Sequence, residues 1–141
     1  MSVQVDAMPY RHVLDVPAMG GAVRIARETT ELVLVECGVG LRHPSVDPAL
    51  LILAELVTNA VRHAAATSPV ITVTYAHGPG AFAFAVHDRH PYLPSLFGAL
   101  GTAPRGGLAM VVELTMELGG TAVVRADADG RGKAIWITLP L

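Results

Sequence analysis

Cysteine, charge and long apolar runs are all scarce in this chain, and each scarcity removes a class of protein. The single cysteine, Cys37, excludes an internal disulfide and a cysteine-built metal cluster. Charged residues make up only 16%, with a formal net charge of −2, which argues against nucleic acid as the main partner. Every apolar run is broken by Glu, Asp, Arg, Thr or Gly before the roughly 18 to 20 residues a membrane span needs. The opening residues show no basic stretch leading into a cleavable apolar segment, so a cytoplasmic protein with no membrane partner is expected. Internal repeats and low-complexity linkers are missing too. What is present is a chain of one domain's length, 1–141. Its 52% hydrophobic content and mean hydropathy of +0.48 point to a surface covered by another chain, with the N-terminal half as the place.

Residues 12–17, HVLDVP, alternate briefly and read as a strand, at a sheet edge because Pro17 ends it. From Ala18 to about Cys37, Val23, Ala26, Leu32, Val33 and Val35 are interleaved with Arg24, Arg27, Glu28 and Glu31, the pattern of an amphipathic helix stopped by Gly38 and Gly40. Asp47 as cap and Pro48 at the first helical position open a second helix, running to about Ala66 and ending before Pro69. PVITVTYA and AFAFAVHD flank His77-Gly78-Pro79-Gly80 and predict a β-hairpin. Residues 89–107 are rich in Pro and Gly without periodicity, as expected of a lid or binding loop. A glycine-framed helix over 106–120 precedes two strands, 121–126 and 132–141, joined by DADGRG. The order predicts an α/β (α+β) two-layer sandwich: an antiparallel or mixed sheet with helices on one face.

The chemistry-bearing residues gather in three places. On the second helix, Glu55, Asn59, Arg62 and His63 fall within about a third of the circumference, beside an apolar surface of Leu50, Leu53, Val57, Ala60, Val61 and Ala64. Such a stripe is either a solvated face or one wall of a cleft. In the cleft, Asn59 offers a neutral oxygen to a hard cation, and Glu55 can orient or deprotonate a hydroxyl. Asp88 closes an apolar strand where the long loop begins, a place for a turn residue or for a ligand-reading carboxylate. His87 and His90 beside it lack helical zinc-site spacing and read as non-ligands. Gly106-Gly107 heads a helix whose free N–H groups suit a phosphate, although no Gly-Lys-Ser/Thr follows as a Walker loop requires.

ELVTNAVRHA, a strand ending VHD, RGGLAMV and GKAIWITL follow one another in an order that resembles the Bergerat-fold (GHKL) ATPases, nearest to the small anti-sigma-factor serine kinases of bacteria. The likeness runs from about residue 10 to the end of the chain, and ELVTNAVRHA is its most specific segment. The resemblance implies a Bergerat ATP-binding fold with a mixed, mostly antiparallel sheet, ATP and Mg²⁺ as cofactors, and an ATP lid over about 89–105. It implies that Glu55 is the general base or positions the nucleophile, that Asn59 coordinates Mg²⁺, and that Arg62 and His63 lie near the phosphates or the nucleotide's edge. Asp88 would accept the adenine amino group, and Arg105, Gly106, Gly107 and Leu108 would meet the phosphates.

Three departures stand against that pattern. Asp88-Arg89-His90-Pro91 replaces the glycine-spaced continuation Asp-x-Gly-x-Gly. Lys133 and Ala134 stand where relatives often carry a threonine beneath the adenine. The lid, PYLPSLFGALGTAP, is apolar and almost uncharged. Two functions therefore compete. One is an ATP-binding anti-sigma-type regulator, a homodimeric serine/threonine kinase with a sigma factor and a STAS-type anti-anti-sigma protein as partners. The other is a non-catalytic interaction module that binds ATP weakly or not at all. A histidine kinase fragment fares worse, because no helical hairpin with a phospho-accepting His precedes the domain. On this reading Asp88→Asn weakens adenine binding more than folding.

Overall fold

Alternation of apolar and polar residues makes the strands, and proline and glycine end them. The computed structural model describes residues 8–64, 66–93 and 107–141. In chain order these form β1 (Tyr10–Pro17), α1 (Ala22–Glu36), α2 (Val46–Ala64), β2 (Val70–Gly78), β3 (Ala81–Asp88), α3 (Gly107–Glu117), β4 (Thr121–Ala126) and β5 (Lys133–Pro140). The strands build one five-stranded sheet in the order β1-β2-β3-β5-β4, with every neighbouring pair antiparallel. The α+β fold and the edge position of β1 agree with the sequence reading, and the mixed sheet allowed there is wholly antiparallel among the described residues.

Differences from the expected boundaries are local. Residues 18–21 form a turn held by the Ala18 N–H donating to the Pro69 carbonyl at 3.0 Å, so α1 begins at Ala22. The Ala49 N–H donates to the Ser45 carbonyl at 3.0 Å, which starts α2 at Val46 and leaves Asp47 in the first turn. There its charge still faces the positive end of the helix dipole. In the hairpin, Gly78 pairs with Ala81, so His77 and Gly78 extend the strand and only Pro79-Gly80 turns. α3 closes at Gly119, whose φ of +75° is open to glycine without strain. Its N–H donates to Met116, and that of Gly120 to Thr115, the paired bonds that satisfy a helix's last carbonyls.

One core fills the space between the helices and one face of the sheet. Ile52, Leu53, Leu56 and Val57 of α2 meet Val73, Tyr75, Phe82, Phe84, Val86, Ile135, Ile137 and Leu139 from the central strands. The Tyr75 hydroxyl, fully buried, is satisfied by Thr30 of α1 at 2.7 Å, and burial pushes its pKa up to about 12. On the opposite sheet face Met8, Ala76, Ala81 and Ala83 form a smaller cluster under Trp136. Because side chains alternate along a strand, Asp88 shares the helix-facing side with Phe84 and Val86, and Lys133 shares it with Ile135 and Ile137. That places both charged groups at the open end of the core layer.

Candidate functional site

On α2 the packing separates the stripe from the core. Leu50, Leu53, Val57 and Ala60 are buried, whereas Glu55 and Asn59 are half-buried and Arg62 and His63 exposed. Ala64's side chain lies outside the described ones. Neither Glu55 nor Asn59 pairs with another side chain among the described residues. A carboxylate and a carboxamide that are half out of water without partners are free to meet a ligand. No group of three or more His, Cys, Asp or Glu able to hold a metal occurs among the described residues. A Mg²⁺ at Asn59 would therefore take the rest of its shell from phosphate oxygens and water, which suits that cation. Glu55 and Asn59 are thus compatible with a Mg-nucleotide.

Asp88 lies at the other end and is built differently. It is 5% exposed, and opposite it in register on β5 stands Lys133, 7% exposed. The Lys133 ammonium donates to Asp88 Oδ1 at 2.9 Å and Oδ2 at 3.1 Å, and its third contact is the His90 carbonyl at 3.4 Å. Asp88 Oδ1 also accepts the His90 N–H at 2.9 Å, bending the chain back over the carboxylate. Oδ2 keeps spare lone-pair capacity, so the carboxylate can still accept a bond from a base if the ammonium yields. Asp88 thus fits a base only in part.

Polar pairing also holds the chain where the family's pattern has glycines. The Arg89 N–H donates to Ser68 Oγ at 2.9 Å. The Arg89 guanidinium donates to Asp127 at 2.7 Å and Asp129 at 2.8 Å, while His87 Nε2 lies 2.9 Å from Asp127. The His87 bond, and with it Arg89, holds the Asp127 carboxyl below its usual range; the Arg89 bond, then the Arg131 N–H, pulls Asp129 to about 2. Between these groups passes Gly132, where a Cβ would sit 2.6 Å from the Asp88 carbonyl oxygen and against an Asp127 carboxylate oxygen. Any side chain there would push apart the strands that carry Asp88 and Lys133.

α3 begins at Gly107, and Leu108 packs partly against the core. Arg105, Gly106 and residues 94–104 of the expected lid lie outside the described residues. The sequence reading noted Lys133 only as a replaced threonine; its pairing with Asp88 was missed. The signal was the cross-strand register of β3 and β5, which requires knowing that β5 inserts between β3 and β4. No helix among the described residues is long and apolar enough to cross a membrane.

Residues 45–141 match the sequence model of the histidine kinase-, DNA gyrase B- and HSP90-like ATPase family. None of the curated protein sequences compared is a significant match. Among solved structures, the RsbU and RsbW domains of a Mycobacterium tuberculosis protein superpose with a TM-score of 0.63 at 22% identity, covering 93% of this chain and 33% of that one. The histidine kinase domain of a blue-light-activated histidine kinase from Erythrobacter litoralis gives 0.56 at 19%, covering 89% of this chain and 62% of that one. The chain thus spans about a third of the first and less than two thirds of the second, and these likenesses establish a shared fold.

Proposed function

The chain belongs to the histidine kinase-, DNA gyrase B- and HSP90-like ATPase family, and from that premise we propose that it is an ATP-binding regulator of the anti-sigma type that phosphorylates a serine or threonine on a small anti-anti-sigma protein. The observation that carries the reading is the family match over 45–141, because that one stretch contains Glu55, Asn59, Asp88, Gly106, Gly107 and Leu108. Likeness to a protein with an RsbW domain supports the anti-sigma assignment over a histidine kinase.

In this mechanism Asn59 would hold Mg²⁺, which would supply neutralisation of phosphate charge. Glu55, one helical turn earlier, orients the incoming hydroxyl for in-line attack and takes its proton. Arg105, Gly106, Gly107 and Leu108 bring the N-terminal end of α3 to the phosphates, where backbone N–H groups and the helix dipole favour negative charge. Arg62 and His63, on the exposed continuation of the Glu55–Asn59 stripe, serve the outer phosphates or the nucleotide's edge. Asp88 receives the adenine amino group, and 89–105 is the segment assigned as the ATP lid. The regulator acts in the cytoplasm as a homodimer, with a sigma factor and a STAS-type antagonist as its two partners.

A second reading, an interaction module without catalysis, is favoured by one feature: the carboxylate meant for adenine already holds an internal cation. Calorimetric titration with ATP, ADP and GTP, with and without Mg²⁺, tests both. Magnesium-dependent binding that prefers ATP to GTP supports the kinase reading and justifies a transfer assay on a serine-bearing partner. No binding at millimolar ATP leaves the fold as an interaction module.

A further inference from the structure

Lys133 is the only lysine in the chain, beside nine arginines, and it is buried. Its three ammonium protons meet three acceptors: both oxygens of Asp88 at 2.9 and 3.1 Å and the His90 carbonyl at 3.4 Å. Neither partner of the pair sits in that position by chance of surface contact, since β3 and β5 place them directly opposite, on the helix-facing side of the sheet. A lysine differs from arginine here in a useful way. Its charge is a compact ammonium on a flexible four-carbon stem, able to swing out to water when a better partner arrives.

We infer that Lys133 competes with the nucleotide base for Asp88, so that a base bonds the carboxylate at full strength only when the ammonium yields it. The inference rests on the assignment of Asp88 as the base-reading group. Both a base amine and Lys133 offer Asp88 a hydrogen bond to a charged oxygen, but only Lys133 adds a full opposite charge and reaches both oxygens. Exchanging the second for the first is uphill, and the displaced ammonium has to regain its contacts from water. Lys133 therefore sets nucleotide affinity from the base end and blunts discrimination between bases, while Asn59 and the head of α3 supply what holds the phosphates. A short hydroxyl at position 133 would leave Asp88 open, still able to accept one local hydrogen bond.

Lys133→Thr tests this against the parent protein in calorimetric titrations with Mg-ATP and Mg-GTP. The expected result is ATP binding at least about tenfold tighter in the variant, with the preference for ATP over GTP widened, the change that freeing a carboxylate for one hydrogen bond supports. A merely structural role for Lys133 predicts no gain in affinity. Equal ATP affinity in the two proteins overturns the competition and leaves the ATPase reading standing. Weaker binding in Lys133→Thr overturns it as well, by making Lys133 a contact to the nucleotide. Absence of binding in both overturns the competition and the nucleotide reading together. Should the variant not fold, the parent answers alone. With one lysine, a uniformly ¹⁵N-labelled sample has one lysine side-chain ammonium signal beside its amide signals. That signal should move as ATP saturates the amides around Asn59; saturation with the Lys133 signal unmoved overturns the inference, and so does failure of ATP to shift any amide.

Discussion

The two ends of the site treat their polar groups in opposite ways. Among the described residues, Glu55 and Asn59 on α2 stand half-buried without partners, whereas Asp88 on β3 is buried and paired with Lys133 and His90. Burial explains the difference. A polar group that water can reach waits for a ligand at little expense, but a buried carboxylate without a counter-charge is costly, so it must carry an internal partner. The α2 end of the site can be bare; the β3 end keeps its carboxylate buried by pairing it within the chain.

That contrast is broken most forcefully by removing the stand-in. Lys133→Ala leaves a buried carboxylate uncompensated and should cost about 3–5 kcal/mol of folding stability. Glu55→Ala and Asn59→Ala, which remove unpartnered groups, should stay within about 0.5 kcal/mol. Chemical denaturation of the three variants measures the difference, and equal costs would mean the two ends are not built differently. By the same argument Asp88→Asn carries a folding cost that the sequence alone does not foresee, since it strands the Lys133 ammonium against a neutral amide.

On α2 the expected losses are functional. Glu55→Ala should keep Mg-ATP bound while phosphoryl transfer falls by roughly 10²–10⁴-fold, the usual worth of a positioned base. Transfer at the parent's rate would remove Glu55 from that role. Asn59→Ala should lower Mg-ATP affinity by at least about tenfold, some 1.4 kcal/mol, while magnesium-free nucleotide binding stays as it was. Retained magnesium dependence would place the cation elsewhere.

How much of this was legible in the sequence follows from which signals are local. Helical spacing on α2 is local, so Glu55, Asn59, Arg62 and His63 could be grouped and their neighbours Leu53 and Val57 assigned to the core. Gly38 and Gly119 announced helix ends, and both adopt positive φ. Proline and glycine around 79–80 marked the hairpin, though strand pairing carried it two residues further than composition suggested. The charged partners of Asp88 and Arg89 were not legible, because they lie about 40 residues on, at |i−j| of 45 for Lys133 and 38 for Asp127. Only the crossover that inserts β5 beside β3 brings them together. DADGRG reads as a plain turn; its two aspartates become anchors for His87 and Arg89 only once the sheet order is known.

The smallest expected effect separates those anchors from the buried pair. Arg89 binds Asp127 and Asp129 across the rim, with a side chain 40% exposed, so screening by water keeps its contribution small at neutral pH. Both carboxyls are held below their ordinary value of 3.8, Asp129 at about 2. A depressed carboxyl stabilises the fold at pH above its unfolded value and loses that contribution as pH falls through the folded one. Arg89→Ala should therefore begin acid unfolding at higher pH than the parent. The two melting curves should differ most above about pH 4 and converge below about pH 2, where the carboxyls are protonated with or without the guanidinium. Thermal melts of both proteins across that range decide the matter. A constant offset at every pH would show that Arg89 acts by packing against its neighbours, and the rim would then resemble the half-buried end of the site more than the ion pair beneath it.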